Sequence, residues 1–312
     1  MIKTDTLQQN MPNGPTAVAL GFFDGVHLGH RQVLSAAVHA KADGLIPCAF
    51  TFSVQRGMPH SKEGQGLILS EERKMTLLNE LGMEYMICPD FSEIREYSAE
   101  DFVVQVLAGQ LRAKRICCGN DFRFGRGATG SLTLLSLLCP QLEIELQIIP
   151  PVTVGGITVS STRIREFIMH GNMEQAAILL GRPYCCDFPV AHGRQLGRTL
   201  GFPTINQPYP QGYVIPKFGV YAARVTVEGK VYSGVTNVGV KPTVGSSGPL
   251  AETYIEGYSG DVYGQRVQVE LLQFLRPEQK FENVQQLRQQ IARDALSAKQ
   301  IVVDLAGEET YV

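Results

Sequence analysis

The sequence predicts two domains of different class. Residues 1–182 read as an α/β domain with a parallel sheet, and residues 183–312 as an antiparallel β-barrel or sandwich ending in a helix. Three observations predict this. The chain has 312 residues, about twice a typical ~150-residue domain. Its first half alternates strand and helix patterns, which yields a parallel sheet flanked by helices. After about residue 182, short alternating runs punctuated by Gly and Pro take over, as in antiparallel sheets.

Each element has a local reason. Thr16–Leu20 (TAVAL) is a continuous apolar run, the mark of a buried strand. A Gly/His loop follows, then a helix near His30–Asp43 that stops at Gly44. Ile46–Phe52 is the next strand, and the polar, Gly-rich residues 53–69 form a loop. Ser70, with Glu71 and Glu72 in the first turn, opens a helix ending at Gly82. Tyr85–Cys88 is a short strand, and Ser98-x-x-Asp101 is a capping box before another helix. Arg115–Cys118 and Leu142–Ile149 are further strands, so a ligand belongs at the carboxyl ends of this sheet. A helical pair broken at Gly171 leads to the domain boundary, near Leu180–Asp187. Beyond it, Val220–Val227, the Glu228-Gly229 turn and Val231–Val235 form a hairpin, and Val267–Phe274 is another strand. From about Phe281 a helix carries Val284, Leu287, Ile291 and Leu296 on one face.

Composition excludes several classes of function. The 28 Lys and Arg against 30 Asp and Glu leave a net charge of −2, with no bulk positive charge to hold a nucleic-acid backbone. The start, MIKTDTLQQNMPNG, lacks the apolar core of a signal peptide. No stretch approaches ~18 uninterrupted apolar residues, so neither membrane insertion nor export is expected and the cytoplasm is the expected compartment. The seven cysteines include no Cys-x-x-Cys and, with the six histidines, no zinc spacing, so they read as reduced, buried thiols.

Five segments carry chemistry. Gly21-Phe-Phe-Asp-Gly-Val-His-Leu-Gly-His30 joins the first strand to the first helix. Gly21 and Gly29 let backbone approach a phosphate, with Phe23 and Asp24 in the same loop, and the helix N-terminus adds N–H donors. His27 and His30, spaced around Gly29, can both donate to one anion, which suits the charge that develops in nucleotidyl transfer. A surface histidine pair is the plainer reading, and the position directly after the first strand weighs against it. Cys118-Gly-Asn-Asp-Phe-Arg-Phe-Gly125 leaves the same sheet edge, where Asn120 or Asp121 is a candidate for binding a ribose or a flavin. Its plainer reading is a Gly-rich turn with Phe122 and Phe124 in the core. In Ser160-Ser-Thr-Arg-Ile-Arg165, Ser160 or Ser161 caps a helix whose Arg163 and Arg165 can neutralise ATP phosphates, against a simple solvated helix start. In Gly197-Arg-Thr-Leu-Gly-Phe-Pro-Thr-Ile-Asn206, Gly197 and Gly201 form a loop able to close over phosphates. Thr204 and Asn206 alternate on an extended segment, so both oxygens face one side, as Mg²⁺ with ATP requires. An edge strand is the alternative there. In Glu252-Thr-Tyr-Ile-Glu-Gly-Tyr-Ser-Gly-Asp-Val-Tyr-Gly264 a carboxylate beside such a site can orient and deprotonate an alcohol, with Glu252, Glu256 and Asp261 as competing candidates.

In their order and spacing, GFFDGVHLGH, CGNDFRFG, SSTRIR, GRTLGFPTIN, GVTNVGVKPT and ETYIEGYSGDVYG resemble the prokaryotic bifunctional riboflavin kinase/FAD synthetase family, from about Thr16 to Lys299. The resemblance implies a Rossmann-like nucleotidyltransferase domain followed by a six-stranded riboflavin-kinase barrel. The barrel would phosphorylate riboflavin with ATP to FMN, and the first domain would transfer AMP from ATP to FMN, giving FAD and pyrophosphate. It implies that His27, His30, Ser161, Arg163 and Arg165 bind ATP phosphates and that Asp121 lies near the adenylyl-transfer substrates. It also implies that Thr204 and Asn206 hold Mg-ATP and that Glu252 is the kinase base. The family's Thr-Phe-Asp-Pro-His-Pro is here Thr51-Phe-Ser-Val-Gln-Arg56, which makes a riboflavin kinase with an impaired first domain the alternative. Ile205 stands where the family has Ala, on the side away from Thr204 and Asn206, and Gly257 stands where it often has Asp.

Overall fold

A computed structural model describes residues 1–52, 64, 66–193, 197, 201–240 and 248–308, with side chains through Leu305. The chain forms two compact units, Met1–Gly64 with Glu71–Ser160, and Gln65–Ser70 with Ser161–Val312. The helical pair that precedes the sequence-derived boundary thus clusters with the second unit.

The first unit is built on β1 (Ile2–Thr4), β2 (Thr16–Leu20), β3 (Ile46–Phe50), β4 (Tyr85–Ile87), β5 (Ala113–Gly119) and β6 (Glu145–Ile149), in the order β1-β4-β3-β2-β5-β6. All neighbours run parallel. The sequence reading has no counterpart of β1, because three residues carry too little pattern to see; pairing with β4 makes it a strand. Helix α1 (Leu28–His39) packs on β2, β3 and β5, and a 3₁₀ turn carries the chain to Gly44, whose φ of 76° ends it. Of the polar stretch read as a loop, residues 53–63 and 65 lie outside the described residues; helix α2 (Glu71–Glu80) comes after it, then the short α3 (Phe91–Ile94) and α4 (Ala99–Asp101). The capping box forms as expected: Ser98 Oγ accepts from Asp101 N at 3.0 Å. The helix it opens continues as a π-helix over Phe102–Gln110, which buries Phe102, Val103, Val106 and Leu107. Helix α5 (Leu132–Gln141) adds Leu135 and Cys139 to the core over Val18, Leu20, Phe50 and Ile116. Leu135 is fully buried, so Leu135→Ala should cost about 3 kcal/mol and lower the midpoint of thermal unfolding by several degrees.

In the second unit, α6 (Ser161–His170) and α7 (Met173–Leu180) flank Gly171, at φ 80°. The strands are β9 (Tyr184–Cys186), β10 (Thr204–Pro208), β11 (Gly219–Val227), β12 (Lys230–Val240), β13 (Pro249–Ile255) and β14 (Gln268–Arg276), with α8 (Val284–Glu308) last. A further short antiparallel pair, β7 (Thr153–Val154) with β8 (Ile157–Thr158), belongs to the first unit. The sheet order is β10-β13-β12-β11-β14-β9, antiparallel throughout, and the sheet curls into a half-barrel. Past β9 the chain turns back to it: Ala191 bridges to Asn206, and Pro189 to Arg266. Glu228 and Gly229, at φ 49° and 76°, make the expected hairpin turn.

One face of the sheet buries Tyr221, Thr236, Thr253 and Gln207, with the two Thr hydroxyls 2.9 Å apart. On the other, Val220, Ala222 and Val235 pack under Ala295, Ala298 and Ile301 of α8. The predicted stripe on this helix is corrected. Leu287 and Ile291 are half-buried, but Val284 and Leu296 are 59% and 69% exposed. The inward position falls on Asp294, whose carboxylate takes the Arg276 guanidinium at 2.8 Å. A carboxylate inside an apolar stripe hides the helix's true face from a hydrophobicity count.

Candidate active sites

The strands of the first unit end in step. Leu20 lies opposite Phe50 and Cys118, and Phe50 opposite Ile87, so the chain leaves the sheet at one edge, at residues 21, 51, 88 and 120. From Gly21 to His27 the backbone is unusual: Phe23, Gly25 and Val26 have φ of 52°, 89° and 40°. Phe and Val in this region cost about 1–2 kcal/mol each, so contacts must hold the loop. Gly21 is required by packing, since a Cβ there would lie 2.8 Å from the Phe23 ring. Phe23 and Asp24 are buried, and the Phe23 ring meets His30 edge-on at 5.4 Å.

His27 is the N-cap of α1. Its Nδ1 accepts from the His30 backbone N–H at 3.2 Å. In the neutral ring this places the proton on Nε2, which becomes a donor. The two imidazoles stack at 3.5 Å and 16°, and a Cβ on Gly29 would sit 3.3 Å from the His27 ring. The spacing of His-x-Gly-His thus brings both rings together at a helix N-terminus, where anions are favoured.

Sequence reasoning missed two residues beneath this loop. Lys74 of α2 is 6% exposed; its Nζ donates to the Phe22 carbonyl at 2.9 Å and lies 4.8 Å over the Phe22 ring. Thr51 Oγ donates to the same carbonyl at 2.8 Å. Burial holds the Lys74 ammonium below the usual lysine range, against the opposing pull of Asp24. A signal existed: Lys74 shares the i, i+3, i+4 stripe of Leu77 and Leu78, an interior position.

Asn120 and Asp121 are exposed on the turn after β5, at the same sheet edge. Phe124 is buried against Gly130, and Phe122 stacks on it at 5.8 Å, so the packing role of both rings is also real. Ser161 opens α6 in the second unit. Arg163 is paired with Glu166 at 2.8 Å, while Arg165 is 5% exposed and its Nε donates to the Gly66 carbonyl at 2.7 Å. Ser53–Arg56, where the family motif is altered, lies outside the described residues, as do Arg198–Leu200.

The second site lies on the half-barrel. Asn206 is directly opposite Glu252, and Glu252 opposite Asn237, so the three side chains form a row on one face. Thr204, two residues before Asn206, shares that face, and Ile205 lies on the other opposite Thr253. Asn206 is 8% exposed and fills the space beside Gly193, where a Cβ would come within 2.4 Å of its Nδ2. Gly197 is equally constrained: a Cβ would lie 2.3 Å from the Phe202 carbonyl, and Gly201 has φ 80°. Asn237 Nδ2 donates to Glu278 at 2.9 Å.

Glu256 accepts from Ser233 Oγ at 2.6 Å and pairs with Lys299 at 3.3 Å, and the Ser233 bond holds its carboxyl below the usual range. Asp261 accepts from the Tyr263 backbone N–H at 3.0 Å. Among the described residues no three His, Cys, Asp or Glu side chains gather as a metal cluster. On the Asn206 face, Thr204 and Asn206 offer neutral oxygens and Glu252 a carboxylate, a donor set that suits a hard cation.

The comparisons with known proteins agree across the chain. The family model for FAD synthetase matches residues 9–163, and that for riboflavin kinase residues 180–302. A bifunctional riboflavin kinase/FMN adenylyltransferase of Escherichia coli (strain K12) is 34% identical over 293 residues, 93% of each chain. The Bacillus subtilis (strain 168) protein of the same description is 33% identical over 296 residues, 91% of each. A crystal structure described as a macrolide-efflux protein from Streptococcus pneumoniae superposes with a TM-score of 0.82 at 29% identity, over 96% of this chain and 98% of that one. Among the described residues here, no helix is long and apolar enough to cross a membrane.

Proposed function

We propose that this chain, which belongs to the bifunctional riboflavin kinase/FMN adenylyltransferase family, runs its two reactions at the two constellations just described. Riboflavin is phosphorylated to FMN within residues 183–312, and FMN is adenylylated to FAD within residues 1–182. Both halves match their own family model, which favours this over a kinase with an impaired first domain.

In the kinase, Glu252 takes the proton of the ribityl 5′-hydroxyl as that oxygen attacks the γ-phosphorus of ATP, and ADP leaves. The observation that carries this assignment is the row in which Glu252 stands opposite Asn206. Thr204 and Asn206 would hold Mg²⁺, which neutralises the phosphates when bound, and Gly197 and Gly201 shape the loop beside it. In the adenylyltransferase, an FMN phosphate oxygen attacks the α-phosphorus of ATP and pyrophosphate leaves. His27 and His30 stabilise the developing charge, with Gly21, Phe23, Asp24 and Gly29 forming the loop around the phosphates. Ser161, Arg163 and Arg165 bind ATP phosphates, and Asn120 and Asp121 hold the flavin or ribose. The seven free thiols suit the reducing cytoplasm, where we place the reaction.

The test is to incubate the protein with riboflavin, ATP and Mg²⁺ and to separate the flavins over time. FMN that appears and then becomes FAD is the expected course; FMN that accumulates, even when supplied directly, would restrict the chain to the kinase. Glu256→Gln should leave FMN formation within about threefold of wild type and cost under ~1 kcal/mol, because its ion pair is half-exposed.

A further inference from the structure

We infer that Lys74 and Thr51 are positioning residues that clamp the Phe22 carbonyl and so set the shape of the loop leading to His27. The inference rests on placing adenylyl transfer at that loop. Both donors converge on one acceptor, Lys74 Nζ at 2.9 Å and Thr51 Oγ at 2.8 Å, and lie 3.5 Å from each other. They come from separate elements, α2 and the end of β3, so the carbonyl is held from two sides.

A peptide's C=O and N–H point in opposite directions. Pinning the Phe22 carbonyl therefore turns the Phe23 N–H away from Lys74. That N–H meets no acceptor among the described residues, although Phe23 is only 1% exposed. Phe23's φ of 52° is costly for a residue with a side chain. It is tolerable if the peptide is held for an anion to meet. Four residues further on, His27 caps α1 and presents Nε2. Packing alone does not explain a lysine at position 74. A methionine or leucine beside Leu77 and Leu78 would fill the stripe without burying an ammonium.

The test uses the full chain, with riboflavin phosphorylation as the internal measure of folding. Lys74→Met should raise the KM for ATP in FMN adenylylation about tenfold or more, with the KM for FMN and the kinase rate within about twofold of wild type. Thr51→Val should raise the same KM by about three- to tenfold, and Thr51→Ser, which keeps the hydroxyl, should not. An unchanged KM for ATP in a Lys74→Met protein with normal kinase activity overturns the inference. A lower kcat at unchanged KM also overturns it, since that is what a smaller folded fraction produces. If Lys74→Met loses kinase activity too, the Thr51 pair decides, and equal KM values for Val and Ser overturn it. The site assignment is tested separately: if the His27 and His30 double replacement still forms FAD, that assignment fails, whatever Lys74 does.

Discussion

Glu252→Ala is expected to abolish FMN formation while leaving the conversion of supplied FMN to FAD intact. Loss of a positioned general base costs about 10²–10⁴ in rate. The phosphate-binding groups that we assign to this site would remain, so the loss should fall on kcat more than on the KM for ATP. The replacement itself is mild, because Glu252 is half-buried on a face that also carries polar Asn206 and Asn237. Rates with riboflavin and with FMN, measured on one preparation, check this. A folded variant that loses both activities would count against two separate sites.

Replacing both His27 and His30 by Ala should do the reverse: FMN accumulates and FAD does not form. Each donor to a developing phosphate charge contributes about 10²–10³ in rate, and the pair sits stacked at 3.5 Å, where one ring supports the other. His27→Ala also removes the Nδ1 cap of α1 at a cost of about 1 kcal/mol, so the thermal midpoint should drop slightly. Asn at position 27 would restore a cap without an imidazole. His27→Asn should therefore recover stability and not FAD formation, which separates the two roles. FAD output unchanged in the double variant would mean that adenylyl transfer happens elsewhere.

Much of this molecule is legible in local pattern. The TAVAL run, the Ser98 capping box, the Gly44 stop and the Glu228-Gly229 turn depend on neighbours a few residues away, and all appear where expected. His27 and His30 are equally local, since the helix that begins at Leu28 brings them together. What escaped was decided at a distance. The strand Ile2–Thr4 exists because Tyr85–Ile87 pairs with it. The buried face of the last helix is shifted by the Arg276–Asp294 pair, which no hydrophobic count registers.

The sequence by itself determined the class of each half, the inner strands of the first sheet and the short words that carry chemistry, because helix periods, strand alternation, caps and turns are written within a few residues. Spacing alone left Glu252, Glu256 and Asp261 equivalent, and the family resemblance singled out Glu252. Only the tertiary structure distinguished their surroundings, by setting Glu252 across from Asn206 and tying Glu256 to Ser233 and Lys299. It likewise brought Lys74 and Thr51, 23 residues apart, onto one carbonyl. Register and side-chain convergence arise from pairings between distant segments, and their energies do not exist until the chain has folded.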